Sequence, residues 1–197
     1  MIKSKLIAGI DEVGKGALFG PVFAGAVVLN NKGENKLLNC GLKDSKLLTK
    51  KKRAFLVPLI KEFSLSWGIG NASSEEIDSL GIRSATEHAM VRAIAQLANK
   101  PELLLVDGSL PIRLWKGEQK TLIKGESKSP QIAAASVLAK EARDKLIRAL
   151  ANKFPQYALE TNVGYGTSFH CKALKEFGPT KMHRNSFISK IIERSNN

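Results

Sequence analysis

Acidic side chains follow two short apolar runs of the sequence, at the points where buried strands would end. The run Leu6–Ile10 stops at Asp11, and Glu12 comes directly after it. The run Leu103–Val106 stops at Asp107 in the same way. Short apolar runs between polar residues are typical of fully buried strands. Because sites in open sheets form beyond the carboxyl ends of neighbouring strands, we expect these carboxylates to share one crevice.

Carboxylates held close together have a limited range of chemical uses. They repel one another, so they either take up protons or bind cations. An all-oxygen ligand set suits Mg²⁺ or Mn²⁺ rather than zinc or copper. Two such ions about 4 Å apart activate a water and stabilise the leaving oxygen of a phosphodiester. The alternative is that each Asp only caps a turn, and it suits a single Asp better than two at matched strand ends.

Glu12 needs a further condition to join this cluster. Successive side chains of a strand face opposite sides of the sheet, so Glu12 can face the same pocket as Asp11 only where the chain leaves the strand. Gly14 and Gly16 supply the backbone freedom that a turn at this point requires. We therefore expect the first strand to end at Ile10, with Glu12 already in the turn.

The rest of the chain predicts the elements that would hold these residues in place. Further strands are predicted at Val22–Leu29 and Ser64–Gly70, with a weaker one near Thr121–Ile123. A helix is predicted within Leu47–Phe63, ahead of the third strand. The order of strands indicates a mixed five-stranded sheet, in which the first three strands are antiparallel.

Two long helices complete this prediction. Ser73 and Glu76 have capping-box spacing and open a helix that runs to about Ala98. The apolar stripe expected along that helix consists of Ile77, Leu80, Ala85, Ala89, Ile94 and Leu97. A second helix covers Pro130–Leu150, where small residues at 133–136 permit close packing against a sheet. Short helices and loops follow over Phe154–Ile192.

Composition bounds the class of protein. The 197 residues suffice for one domain, and 31 Lys and Arg against 18 Asp and Glu give a net charge of +13, which favours a polyanionic partner such as nucleic acid. The two cysteines, Cys40 and Cys171, lie outside any metal-binding spacing and fit a reducing compartment. The uncharged stretch Gly16–Leu29 is too short to span a membrane. We expect a cytoplasmic protein without a membrane partner.

Motifs along the chain resemble the ribonuclease HII family of bacteria. The segment Gly9–Gly16 (GIDEVGKG), continuing to Gly20-Pro21-Val22, resembles the N-terminal signature of the family. Further matches follow in the family's order: Leu42–Leu47, Val106–Gly108, Lys124–Glu126, Ala133–Lys140, Gly164–Thr167 with His170, and Gly178–Thr180 with His183-Arg184. The resemblance implies a ribonuclease H-like α/β fold with a small C-terminal helical extension. In one domain over 1–197, the catalytic core would cover about 1–150 and the substrate-binding extension about 151–197.

The resemblance also implies the residues of the site. Asp11, Glu12 and Asp107 would be catalytic metal ligands for two Mn²⁺ or Mg²⁺ ions. Glu126 would be the fourth ligand, at a position where the family usually has Asp. The substrate contacts would come from the following residues: Gly14, Lys15 and Gly16, where the family usually has Gly-Arg-Gly; Lys43 and Lys46; and Tyr165, which would stack on the sugar at an RNA–DNA junction. Whether the run Lys50–Arg53 holds phosphates or is a solvated face is left open.

The activity implied by the resemblance is hydrolysis of RNA in RNA/DNA hybrids and incision at single ribonucleotides in DNA. Products would carry 5′-phosphate and 3′-hydroxyl ends. A monomer is expected, and a sliding-clamp partner is left undecided. The alternatives are a ribonuclease HIII-like enzyme, which normally has an N-terminal extension, and a non-catalytic nucleic-acid-binding module that uses the same basic surface.

Overall fold

Five strands form one mixed sheet in the computed structural model, which describes residues 5–193; residues 1–4 and 194–197 lie outside the described part. The strands are β1 (Ile7–Val13), β2 (Val22–Val28), β3 (Ser66–Ala72), β4 (Leu103–Asp107) and β5 (Gln119–Leu122). Their order across the sheet is β3-β2-β1-β4-β5. The first three pair antiparallel, whereas β1–β4 and β4–β5 pair parallel. The predicted mixed five-stranded sheet is confirmed.

Seven helices surround the sheet within the described residues. They are α1 (Asn31–Asn39), α2 (Lys50–Phe63), α3 (Ser74–Ile94), α4 (Pro130–Ala151), α5 (Leu159–Asn162), α6 (Ser168–Phe177) and α7 (Asn185–Glu193). The sequence predicted α2, α3 and α4. It missed α1, a short and mostly polar helix that buries only Gly33 and Leu37.

The two long helices cover opposite faces of the sheet. On β1, Ala8 and Ile10 pack in a core with α3, whereas the α4 side carries Gly9. A Cβ atom at Gly9 would lie 2.2 Å from the backbone of Gln131, so glycine permits the close approach of α4. The small residues of α4 pack here, as the sequence predicted. By strand alternation, Asp11 lies on the α4 face and Glu12 on the α3 face.

Two predicted boundaries were wrong. The first strand does not end at Ile10 but continues to Val13, because its antiparallel partner β2 extends the ladder to the pair Val13 and Phe23. The helix α3 ends at Ile94 and is interrupted at Gly81, which has φ 76°. This break turns Leu80 out of the apolar stripe, and its side chain is 44% exposed.

The C-terminal helices pack on the far end of α4. Their cluster includes Tyr157, Leu174 and Ile188, together with Phe19 of the segment between β1 and β2 and Ile147 of α4. These helices therefore fix the segment that follows β1. Among residues 5–193, no helix combines the length and apolar character needed to cross a membrane.

Candidate metal centre

Three carboxylates meet at the carboxyl ends of the central strands. Ile10 of β1 pairs with Val106 of β4 in parallel register, so the next residues, Asp11 and Asp107, lie side by side. Glu126 lies in a short 3₁₀ turn, Gly125–Ser127, soon after the end of β5. One oxygen from each of the three carboxylates lies within 4.8 Å of the others. The crevice expected from the sequence therefore exists.

Hydrogen bonds within the centre fix these side chains. The Gly125 N–H donates to Oδ1 of Asp107 at 2.7 Å, which ties the end of β4 to the turn that carries Glu126. Ser136 of α4 donates its hydroxyl to Oε1 of Glu126. Ser45 lies 2.7 Å from the Ser136 hydroxyl and 3.4 Å from the same Glu126 oxygen. Glu126 is therefore oriented by two buried serines from different elements.

Negative charge is only partly compensated in the centre. Asp11 is 3% exposed. Burial and the charges of Glu12, Glu126 and Asp107 raise its pKa well above the ordinary value, and the nearby Ser136 hydroxyl lowers the pKa only in part. Lys46 places its Nζ 3.3 Å from Oε2 of Glu126. Although partial burial opposes the charge of Lys46, the Glu126 carboxylate raises its pKa. One exposed ammonium cannot balance this many carboxylates, so the centre favours a bound cation.

Glu12 lies beside this group and not within it. Since β1 continues to Val13, the Glu12 side chain faces α3, and the expectation that it leaves the strand was wrong. It lines a cleft of about 250 Å³ that Asp107 and Lys15 also border. Its carboxylate forms an ion pair with Nζ of Lys15 at 3.0 Å. Glu12 thus borders the same cleft as Asp107, on the opposite face of the sheet from Asp11.

The loop at Gly14–Gly16 presents exposed backbone beside this centre. Lys15 and Gly16 are exposed, and Gly14 has φ 85°. Behind the loop lies Arg143, whose Nε would be 2.1 Å from a Cβ atom at Gly14. Arg184 is also fully buried, and its Nη1 donates to the Lys15 carbonyl at 3.0 Å. Glycine is therefore required at position 14 by both conformation and space.

The two buried arginines hold the surrounding loops through backbone carbonyls. Arg143 donates to the carbonyls of Phe19, Pro21 and Val163 at 3.0, 3.1 and 2.9 Å. Arg184 also donates to Gly20 at 2.9 Å. Burial and the nearby charge of Arg143 lower the pKa of Arg184 to about 9.

Tyr165 is half-buried on the loop before α6. Its ring lies near two cations, with the Arg143 Cζ 5.4 Å and the Lys140 Nζ 5.8 Å from the ring centroid. The preceding Gly164 accepts a hydrogen bond from Leu18 at 2.8 Å. These contacts bring the Tyr165 loop against the segment that follows Gly14–Gly16, so both sequence-predicted substrate elements flank the same region.

The predicted basic residues divide into two groups. Lys43 and Lys46 are exposed near the Glu126 turn, and Lys43 borders a cleft there of about 420 Å³. Within the run Lys50–Arg53, the three lysines are exposed or half-buried, but Arg53 is buried. Its Nη1 donates to the Leu48 carbonyl at 2.8 Å, so Arg53 holds the chain together and does not face solvent.

Sequence reasoning gave no role to four of the residues that support the site, which are Ser45, Ser136, Arg143 and Arg184. The two serines contact Glu126, and the two arginines donate to backbone carbonyls of the neighbouring loops. Most lie within matched motifs, but a serine or arginine in a motif does not reveal its partner. Buried polar residues are unusual and must be hydrogen-bonded, so polar residues within the apolar stretches of α4 were the available signal.

The fold and the centre together define a metal-dependent nuclease with a ribonuclease H-like fold. The family model described as Ribonuclease HII matches residues 8–190, and the chain belongs to this family. A ribonuclease HII of Prochlorococcus marinus is 60% identical over 190 residues, which cover 96% of this chain and all of the relative.

Solved structures agree with this assignment. The ribonuclease H2 of Pyrococcus horikoshii superposes with a TM-score of 0.81 at 25% identity, covering 97% of this chain and 99% of that one. The structure of a complex of PCNA with ribonuclease HII from Archaeoglobus fulgidus gives a TM-score of 0.76 at 28% identity, with 91% and 93% covered. As a member of this family, the chain is a divalent-metal-dependent endoribonuclease that acts on RNA/DNA hybrids.

Proposed function

We propose that this enzyme incises DNA at single embedded ribonucleotides as well as cutting the RNA strand of longer hybrids. The observation that carries the proposal is the group of Asp11, Asp107 and Glu126, with oxygens within 4.8 Å at the ends of two parallel strands. The exposed residues Lys15 and Gly16 and the half-buried residue Tyr165 flank a region where a sugar-phosphate backbone can approach. Both features suit recognition of a single ribose and its phosphate.

The carboxylates fit a divalent ion by their chemistry. The donor set is all oxygen, buried and short of positive charge, as Mg²⁺ and Mn²⁺ sites require. We propose that Asp11, Asp107, Glu126 and, from the opposite side of the sheet, Glu12 hold two such ions. Bound there, the ions would supply Lewis acidity that lowers the pKa of a water and neutralises charge on the leaving oxygen.

The reaction needs no side-chain nucleophile. The oxygen of a water bonds to phosphorus and gives up a proton, while the bond from phosphorus to the 3′-oxygen breaks and the leaving 3′-oxygen takes up a proton. The proposed products are therefore 5′-phosphate and 3′-hydroxyl ends. The protein's part is to fix the carboxylates, which the two serines and the Gly125 N–H do, and to orient the phosphate at the loop.

Glu126 replaces the Asp usual in the family, and the structure supports its proposed role. Glu126 is 6% exposed and its carboxylate reaches the same pocket as Asp11 and Asp107. The added methylene is accommodated because Ser45 and Ser136 hold the carboxylate on one side and Lys46 on the other.

Substrate contacts are proposed on both flanks of the centre. Lys43 and Lys46 would bind phosphates beside the Glu126 turn, and Lys15 would bind one beside the Gly14–Gly16 loop. Tyr165 would stack on the sugar from the C-terminal side. The division into a core over about 1–150 and a substrate-binding extension from about 151 belongs to this proposal. The proposal also includes a monomeric state and activity in the cytoplasm on chromosomal DNA. The PCNA complex of the Archaeoglobus relative makes a sliding clamp the partner to test first.

The decisive experiment replaces one ligand and measures cleavage. Asp11→Asn keeps the shape of the side chain and removes its charge, so cleavage of a duplex with one ribonucleotide should fall by at least about 10³-fold in Mn²⁺ or Mg²⁺. A second arm compares that duplex with a continuous hybrid for the unaltered enzyme. Turnover of Asp11→Asn at the unaltered rate would refute the ligand assignment. Failure of the unaltered enzyme at a lone ribonucleotide, with hybrids still cut, would refute only the substrate proposal.

A further inference from the structure

A buried pair of imidazoles lies behind the Tyr165 loop. His170 of α6 is 0% exposed, and His183, shortly before α7, is 1% exposed. Their Nε2 atoms lie 3.0 Å apart. The rings of Phe19 and Tyr157 pack against His183 with centroids at 4.9 and 4.7 Å. Burial lowers the pKa of both imidazoles, and that of His183 falls to about 4 with the help of its neighbour. Both rings are therefore neutral near pH 7.

The contacts of this pair determine the tautomer of each ring. His170 places Nδ1 2.9 Å from the Tyr165 carbonyl, and because a carbonyl only accepts, Nδ1 must carry the proton. The bare Nε2 of His170 then accepts from the Nε2–H of His183. This leaves Nδ1 of His183 bare, and it accepts the Thr180 N–H at 2.9 Å. The chain of hydrogen bonds therefore runs in one direction, from Thr180 to Tyr165.

The last link of this chain acts on the main chain of Tyr165. The Tyr165 carbonyl accepts both the His170 Nδ1–H and the Thr167 N–H, each at 2.9 Å. The Tyr165 N–H donates to the Asn162 carbonyl at 3.0 Å. Both backbone groups of Tyr165 are thus fixed, while the residue as a whole is only half-buried. The direction in which the ring points depends on this anchoring.

We propose that His170 and His183 are positioning residues for ribose recognition, holding the Tyr165 main chain so that its ring meets the sugar of the ribonucleotide. The inference rests on the proposed substrate contact of Tyr165. Neither imidazole touches the substrate, because both are enclosed by protein. Their effect reaches the substrate through one carbonyl and is lost when the donor to that carbonyl is removed.

Two substitutions at position 170 separate anchoring from packing. His170→Asn keeps an N–H donor near the position of Nδ1, whereas His170→Leu fills the space without a donor. We expect kcat/KM on a one-ribonucleotide duplex to fall roughly three- to tenfold in His170→Leu, as one lost hydrogen bond implies, and to recover largely in His170→Asn. Affinity measured in a chelator should show the same loss of preference for that duplex over its all-deoxy counterpart.

A double-mutant cycle with Tyr165→Ala completes the test. If the imidazole acts through Tyr165, His170→Leu has no further effect once the tyrosine ring is absent. Equal losses in both backgrounds, or Asn performing no better than Leu, would overturn the inference. Unaltered cleavage by Tyr165→Ala alone would instead refute the proposed sugar contact. If His170→Leu does not fold, the same comparison is made at position 183. His183→Gln keeps a hydrogen-bond donor to His170, and His183→Met lacks one.

Discussion

Removal of one hydroxyl from α4 should weaken metal binding with little effect on the fold. Ser136 is 4% exposed; it donates to Oε1 of Glu126, and its hydroxyl also acts to lower the pKa of Asp11, which burial and the nearby carboxylates raise. Ser136→Ala retains both carboxyl groups but removes one of the two serine contacts that orient Glu126. Loss of a group that orients a metal ligand typically lowers metal affinity about 10- to 100-fold, which is about 1.4 to 2.7 kcal/mol.

The same substitution should change the free energy of unfolding by less than about 1 kcal/mol. The site lies in a run of alanines on a helix, where alanine has the higher helix propensity, and this gain offsets part of the lost hydrogen bond. Mn²⁺ affinity is measured by isothermal titration calorimetry, and stability by urea unfolding in a chelator. Ser79→Ala, at an exposed serine of α3, is the matched control and should leave both quantities unchanged.

Two outcomes would refute this reasoning. Unchanged Mn²⁺ affinity in Ser136→Ala would show that the hydroxyl does not organise the ligands. A loss of several kcal/mol of stability would show that the serine serves the fold of the apoprotein, and that its link to the metal is indirect.

Two further predictions concern the loops around the centre. Gly14→Ala should destabilise the protein by about 2 kcal/mol or more in urea unfolding, because φ is 85° and the new Cβ would meet Arg143. Gly16→Ala is the control, because the space around Gly16 is open, and its stability should stay within about 0.5 kcal/mol of the unaltered protein. Equal effects of the two substitutions would contradict this account. Acid should weaken the fold through His183: its pKa is about 4 in the folded state against an ordinary 6.5, so the unfolded chain binds more protons between these values. The contribution of His183 to stability is therefore fully present above pH 6.5 and is lost as pH falls through that window, by at most about 1.4 kcal/mol per unit, and His183→Gln should flatten this slope.

The sequence predicted the sheet and the meeting of Asp11 with Asp107 because both follow from local patterns. Each is the first charged residue after a buried apolar run, and parallel neighbours bring such ends together. Position 126 carried no such pattern, since its turn follows a weak, four-residue strand, and only the family resemblance pointed to Glu126. The structure then placed it in the pocket.

What the sequence could not predict depends on tertiary contacts. The continuation of β1 past Asp11 is set by its pairing with β2, whose partner residues are ten or more positions away, and this decides the face on which Glu12 lies. The roles of Ser45 and Ser136 depend on the packing of α4 against the sheet, as does the burial of Arg143. No local pattern records which distant carbonyl or carboxylate a buried polar side chain will meet.

Direct Mn²⁺ binding to the metal-free protein tests the central claim, that the buried carboxylates form a divalent-cation site. The measurement is isothermal titration calorimetry of the unaltered chain and of Asp107→Asn. An unfolding curve of each protein shows that both are folded. We predict saturable Mn²⁺ binding that Asp107→Asn weakens at least tenfold. Equal Mn²⁺ binding by the two folded proteins would contradict the account.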